Sequence, residues 1–143
     1  MAIITLAADA TTLVLNGTAI TDTPAGDTIT LAPANPATGR NNAINGGINI
    51  NERSDRGIHD LTVRVQKYSE SDSFLNTLLR ESPPAIINGS AKTAYSRDGQ
   101  DSEQSWLLEG GSFTTQPTDT QNDTDGNALM EYVIQFREAS RNL

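Results

Sequence analysis

Residues able to do chemistry are few in this chain and do not converge. The one histidine, His59, stands beside Asp60. Nucleophilic catalysis needs a hydroxyl or thiol held against a base, and no Gly-x-Ser-x-Gly turn presents a serine. There is no cysteine, which removes thiolate nucleophiles, thiolate metal sites and disulfides while leaving the compartment open. A His next to an Asp, with nothing else assembled around it, reads as a surface turn pair.

Metal and phosphate chemistry fare no better. Gln121, Asp123, Asp125 and Gly126 have the spacing of the front of a calcium loop. The first ligand position is a glutamine, however, and Tyr132 stands where the bidentate glutamate belongs, so a solvated acidic loop is the simpler reading. Gly46-Gly47 and Gly110-Gly111 lack the lysine and the helix of a phosphate loop and read as turn and bulge glycines. Glu103 and Glu109 are carboxylates of the type glycosidases use, but 18 acidic residues make such pairs by chance. A sugar site would also want exposed aromatics, and the three Tyr, three Phe and one Trp fall mostly on apolar strand faces. The expectation is a protein that is not an enzyme and carries no cofactor.

The charge balance excludes another class. With 10 basic against 18 acidic side chains the net charge is -8, and the cations form no patch that would grip phosphates. No run approaches the roughly 20 apolar residues of a membrane helix. The apolar start, Met1 to Leu15, is broken by Asp9 and has no positive flank, so it does not read as a signal peptide. The sequons beginning at Asn16, Asn88 and Asn122 then carry no glycosylation message. A soluble protein of the cytoplasm is expected, without membrane insertion. Its 143 residues fit one domain, 1–143, and a domain of that size buries roughly 68% of its unfolded surface.

The elements that must position these residues are mostly strands. Thr12 to Leu15 and Thr18 to Thr21 flank Asn16-Gly17, a strong hairpin turn signal. After a turn at Pro24 to Asp27, Thr28 to Ala32 alternates as a short strand. From Pro33 to Arg56 the chain is rich in Asn, Gly and Pro, and only Ile48 and Ile50 alternate; a long loop over about 33–57 is expected, functional at that length. Leu61 to Tyr68 is the clearest strand, with Leu61, Val63 and Val65 on one face. Ser69 and Asp72 make a capping-box start for a helix over about 70–81, with Phe74, Leu75, Leu78 and Leu79 as its apolar stripe and Pro83-Pro84 as its stop.

Three long strands follow. Ala85 to Ser96 turns at Arg97-Asp98-Gly99 into Glu103 to Thr115, where the parity of Trp106 and Leu108 against Phe113 demands a bulge at Gly110-Gly111. Pro117 to Gly126 reads as an acidic loop. Leu129 to Arg137 places Met130, Tyr132, Ile134 and Phe136 on one face, with Glu131, Gln135 and Arg137 opposite. The fold class is mainly β: an antiparallel sandwich or barrel with one external helix and one long loop.

Four stretches go beyond pattern. Asp9-Ala-Thr-Thr-Leu-Val-Leu-Asn-Gly-Thr18, His59-Asp-Leu-Thr-Val-Arg-Val-Gln-Lys-Tyr-Ser69, Gly111-Ser-Phe-Thr-Thr-Gln-Pro117 and Asp125-Gly-Asn-Ala-Leu-Met-Glu-Tyr-Val-Ile-Gln-Phe-Arg137 resemble the tail tube proteins of contractile-tailed bacteriophages. The likeness runs in order from about Asp9 to Arg137 and includes no catalytic residue.

The resemblance implies a virion structural protein, assembled in the host cytoplasm. It implies hexameric rings that pool their sheets into one inner β-barrel and stack into a tail tube. The implied partners are the tail sheath protein, the baseplate or tail initiator and terminator proteins, and in the lumen a tape-measure protein and then passing DNA. Acidity fits such a conduit, because an Arg-rich wall binding DNA at about 10⁻⁴ to 10⁻⁶ M per site would hold the genome back. Expected lumen-facing residues are Glu103, Ser105, Glu109, Glu131 and Gln135. In the long loop Arg40, Arg53, Asp55 and Arg56 are expected at contacts between rings, the arginines meeting Asp119, Asp123 or Asp125 of the next ring. The alternatives are the inner tube of a related contractile injection or secretion machine and, from another class, a calcium- or sugar-binding β-sandwich.

Overall fold

The computed structural model describes residues 1–7, 10–21, 23, 29–119 and 128–143. The turn expected at Pro24 to Asp27, the Asp123 and Asp125 contacts and the calcium-like stretch from Gln121 to Gly126 lie outside those residues.

Among the described residues nine strands form one antiparallel sheet: β1 (Ile4–Thr5), β2 (Thr11–Leu15), β3 (Thr18–Ile20), β4 (Ile29–Pro33), β7 (His59–Gln66), β8 (Ile87–Arg97), β9 (Gln100–Asp119), β10 (Leu129–Phe136) and β11 (Glu138–Asn142), with β5 (Thr38–Asn42) and β6 (Ile48–Glu52) paired apart from it. The order in the sheet is β3-β2-β8-β9-β10-β7-β4, with β1 beside β8 and β11 beside β9. The first hairpin follows from its turn. β2 (Thr11–Leu15) and β3 (Thr18–Ile20) are joined by Asn16 and Gly17 at φ 48 and 80°. Both lie in the left-handed region, the requirement of the hairpin turn whose twist matches the strands. The Asn16 amide also accepts from the backbone N–H of Asn88 at 2.9 Å and donates to the carbonyl of Ile86 at 3.3 Å, tying the turn to the start of β8.

β8 (Ile87–Arg97) and β9 (Gln100–Asp119) form the long hairpin that shapes the molecule, turning at Asp98 and Gly99 with φ 50 and 81°. Opposite Ile87 and Gly89 on β8 stand Gly111 and Leu108 on β9, so β9 carries one extra residue there. That is the bulge required by the parity of Phe113, and Gly110 adopts φ 65° within it. At the same level the last strand breaks at Arg137, whose N–H reaches the Gly110 carbonyl at 3.4 Å. Bulge and break together bend the sheet.

One half of the bent sheet holds β1 (Ile4–Thr5), β2, β3, β8, the first part of β9 and β11 (Glu138–Asn142). The other holds the end of β9, β10 (Leu129–Phe136), β7 (His59–Gln66) and β4 (Ile29–Pro33). Strands that pass between layers at bulges are the usual corners of a closed β fold. Leu13, Leu15, Ile87 and Leu108 from the first half and Leu61, Val63, Val65, Tyr132, Ile134 and Phe136 from the second share one buried core.

The helix α1 (Glu70–Leu79) starts as its residues direct, with Ser69 Oγ accepting from the N–H of Asp72. The return bond of the box is displaced by one residue: Asp72 accepts from Tyr68 N–H at 3.0 Å, because Ser69 N–H already reaches the Gln66 carbonyl. Tyr68 takes φ 67° to make this corner. Leu75 and Leu78 are buried, whereas Leu79 is only half-buried. Leu75→Ala is expected to cost about 2–5 kcal/mol in denaturant unfolding, and Leu79→Ala clearly less. Equal, small losses below about 1 kcal/mol would mean the helix is not seated on the core.

Three expectations need correction. The long loop over 33–57 is largely a hairpin of its own, β5 (Thr38–Asn42) with β6 (Ile48–Glu52), paired from Thr38↔Glu52 to Asn42↔Ile48. Asn and Gly have low strand propensity; Gly46 at φ 88° and the Ala43 N–H bond to the Gly47 carbonyl close the turn instead. Pro117 does not begin a loop, since β9 continues to Asp119. A register shift between Thr115 and Thr118 leaves the proline out of the ladder. Finally, Glu138 to Asn142 pairs with β9 as β11, a strand of polar residues without apolar alternation.

Candidate functional site

The His59–Asp60 pair is divided by its strand. Consecutive residues of β7 point to opposite faces: His59 donates from Nδ1 to the Gly57 carbonyl at 2.8 Å and lies 5.8 Å from the Trp106 ring, while Asp60 accepts from Gln135 Nε2 at 2.9 Å. The carboxylate therefore does not orient the imidazole. Among the described residues no three His, Asp or Glu side chains gather as a metal-ligand set.

One polar cluster is built into the core margin. The Tyr132 hydroxyl donates to Asp72 Oδ1 at 2.6 Å, joining β10 to the first turn of α1. Ser71, also buried, accepts from the N–H of Thr21 at 2.9 Å and joins the same turn to the end of the first hairpin. Burial, then the bond to the Asp72 carboxylate, raises the Tyr132 phenol well above its usual range. A phenol that ionises less readily folded than unfolded holds its proton longer in the native state. Its contribution is complete below about pH 10 and falls above it by about 1.4 kcal/mol per pH unit. Alkaline unfolding should thus be less steep for Tyr132→Phe than for the parent; identical slopes above pH 10 would remove Tyr132 as the cause. Beside this cluster lies a groove of about 440 Å³ lined by Lys67, Tyr68, Asn76, Asp119 and Met130 among others. Lys67 is ion-paired to Asp119, which raises its pKa, so the groove offers no unpaired lysine.

The expected contact residues fall into distinct places. Arg40 lies on β5 of the projecting hairpin and bonds Asn42 Oδ1 through Nε at 3.2 Å. Arg53 makes a two-pronged pair with Asp55, at 3.0 and 2.9 Å, and Arg56 pairs with Glu52 at 3.2 Å. The hydrogen-bonded pairing lowers the Asp55 pKa. Both pairs are local, within residues 52–56 at the end of β6, while the outer part of the hairpin from Asn41 to Ile50 is exposed throughout. Asp119, the third carboxylate, stands at the end of β9 on the core body, against Lys67.

The expected lumen residues divide between two faces. Glu103, Ser105 and Glu109 are on β9 in its pairing with β8 and β11, Glu103 and Ser105 being opposite in parity to buried Leu108. Glu131 and Gln135 are on β10, opposite in parity to Tyr132 and Ile134, and each is held from β7: Glu131 by Arg64 at 3.1 Å and Gln135 by Asp60.

What these faces and edges share with known proteins is the whole arrangement. A chain of the sheath–tube complex of an extracellular contractile injection system, PVC, in its extended state superposes with a TM-score of 0.63, over 96% of this chain and 91% of that one, at 10% identity. A chain of the cap that terminates the tube of the anti-feeding prophage superposes at 0.62, again over 96% and 91%, also at 10% identity. The fold occurs in contractile injection machinery. No protein-family model and no curated protein sequence matches the chain. At 10% identity the likeness defines the fold alone.

Sequence reading missed β11, whose second edge has no strand partner among the described residues. The signal was faint, since the only hint in Glu138-Ala-Ser-Arg-Asn142 is that it directly continues the strand before it.

Proposed function

We propose that this chain is the ring-forming subunit of a tail tube, six copies to a ring and rings stacked inside a contractile sheath. The observation that carries the reading is fold likeness over 96% of the chain to components of two contractile machines. The sheet edges and the projecting hairpin are consistent with it, since both leave bonding capacity unused in one copy. The sequence resemblance favours a phage tail, in which DNA passes down the tube; the structural neighbours favour a contractile injection machine. The face of β8, β9 and β11 bearing Glu103, Ser105 and Glu109 is assigned to the lumen. By register that face carries Glu138 opposite Glu109 and Lys92 opposite Ser105, a neutral-to-negative wall along which a polyanion slides. Sheath, tape-measure, baseplate and terminator proteins are the partners this role entails.

Light scattering after size exclusion, together with negative-stain microscopy, tests the proposal. Rings, or tubes at high concentration, are the expected result. A species that stays monomeric at every concentration and salt, with or without a tail initiator to nucleate it, overturns the reading.

A further inference from the structure

Within that tube reading, we infer which edges join: β11 of one copy pairs antiparallel with the β1 arm of the next. Four strands lie abreast in this half of the sheet, β1 and β2 in line along one flank of β8, then β8, β9 and β11. β1 and β11 are the outer two, and each has a single strand partner among the described residues.

Strand direction selects the pairing. β8 is antiparallel to β9, β1 to β8, and β11 to β9; β1 therefore runs with β9, and β11 runs against it. When copies are related by rotation about a ring axis, the β11 edge of one meets the β1 edge of its neighbour in opposite directions, as an antiparallel ladder requires. Joining β11 to β3 instead would be parallel. Joining β11 to β11 about a two-fold axis would end assembly at a dimer.

The register agrees in magnitude. β11 stands level with Ser105 to Glu109 of β9, whereas Ile4 and Thr5, through Arg97 and Ser96, stand level with Gln100 and Asp101. Their centres are therefore offset by some six residues. A closed barrel tilts its strands by about 35–45°. Crossing four strands about 4.8 Å apart, at about 3.3 Å per residue, shifts the register by roughly 4–6 residues per copy. The offset that prevents a flat sheet from closing is the offset a tilted barrel needs.

The arm is also built for a partner. Ile3, Ile4 and Leu6 are 70, 58 and 60% exposed in a segment held to its own copy along one edge alone, by the pairing of Ile4 and Thr5 with β8 and by the bonds of Ile3 with Asp98. An open groove of about 810 Å³ runs beside it, lined by Leu6, Ala94, Tyr95 and Glu103 among others. A second strand along β1 extends the sheet over this region.

The absence of cysteine makes the test clean. The double variant Thr5→Cys with Ser140→Cys, treated with a short bis-maleimide in the assembled state, should give a ladder of covalent oligomers on a denaturing gel. β8 and β9 separate the two positions within one copy, so a link between them joins two copies. Pairs that keep the same antiparallel sum, Ile3→Cys with Asn142→Cys and Ala7→Cys with Glu138→Cys, should link as well. Pairs displaced by four residues should link at least tenfold less. Rings that form normally yet yield no ladder with any such pair overturn the edge assignment and leave the tube reading standing. Covalent dimers from Ser140→Cys alone favour the two-fold arrangement and also overturn it. A protein that forms no rings at all overturns both.

Discussion

Gly89→Ala should be among the most damaging single-methyl substitutions in the molecule, costing about 3 kcal/mol, the upper part of the usual range for overpacking. Gly89 pairs with Leu15 where β2 crosses the start of β8. A Cβ there would lie 2.2 Å from the Val14 carbonyl oxygen and 2.8 Å from Leu15 Cδ2. The first of these is backbone, so relief requires the two strands to part. Parting them disturbs Leu13 and Leu15, both fully buried, and the Asn16 turn bonded to Asn88 and Ile86.

Two other glycines set the scale. At Gly111 a Cβ would meet Phe136 Cε1 at 2.5 Å and the Ile87 carbonyl at 3.0 Å; a side-chain ring yields more readily than a strand, so Gly111→Ala should cost less than Gly89→Ala. At Gly99 nothing lies within 4 Å, and only φ 81° opposes a side chain, a cost of about 1 kcal/mol. Denaturant unfolding below the assembly concentration measures all three. For a chain of this size the Gly89 variant should melt about 10 °C lower. A loss there no greater than at Gly99 would show that β2 and β8 do not approach as described.

The contrast between Gly89 and Gly110-Gly111 also shows what was legible in the sequence. The bulge could be read because Trp106 and Leu108 on one side and Phe113 on the other must all reach one core, and an alternation of two residues forbids that without an inserted one. Leu61 to Val65, the Asn16-Gly17 turn and the Ser69 cap were legible for the same reason: each is a local rule obeyed by adjacent residues. Nothing in one strand announces which strand will cross it, so the close approach at Gly89 was invisible. The β5–β6 hairpin was hidden differently. Strand patterns are readable when one face is buried, and no residue from Asn41 to Ile50 is buried. The contact residues suffered from locality too. Arg53 and Arg56 looked like cations seeking a neighbour, and their nearest carboxylates, Asp55 and Glu52, proved to be two and four residues away.

That last point decides how the hairpin is best tested. A two-stranded hairpin alone in water is marginal, and this one exposes Ile44, Ile48 and Ile50 at 109, 49 and 66%. Its tip therefore has apolar surface to lose on contact with another copy, and we propose that this contact joins successive rings. Charge reversal at Arg53 and Arg56 would break the pairs at the base and confuse folding with stacking. Arg40 is the better probe, since its guanidinium bonds only Asn42 within the hairpin.

An exposed ion pair is worth about 0–1 kcal/mol, but six at one ring interface act together. Arg40→Glu should therefore shorten tubes, most at low salt where screening is weak. Excising residues 39–51 and joining the paired ends Thr38 and Glu52 with Asn-Gly should go further. Rings should persist with unfolding stability within about 1 kcal/mol of the parent, because the removed residues contribute nothing to the core, and tubes should disappear. Microscopy of both variants at low salt gives the answer. Tubes of parental length from the excised variant would exclude the hairpin from stacking, and loss of rings together with tubes would place it in the contact within a ring instead.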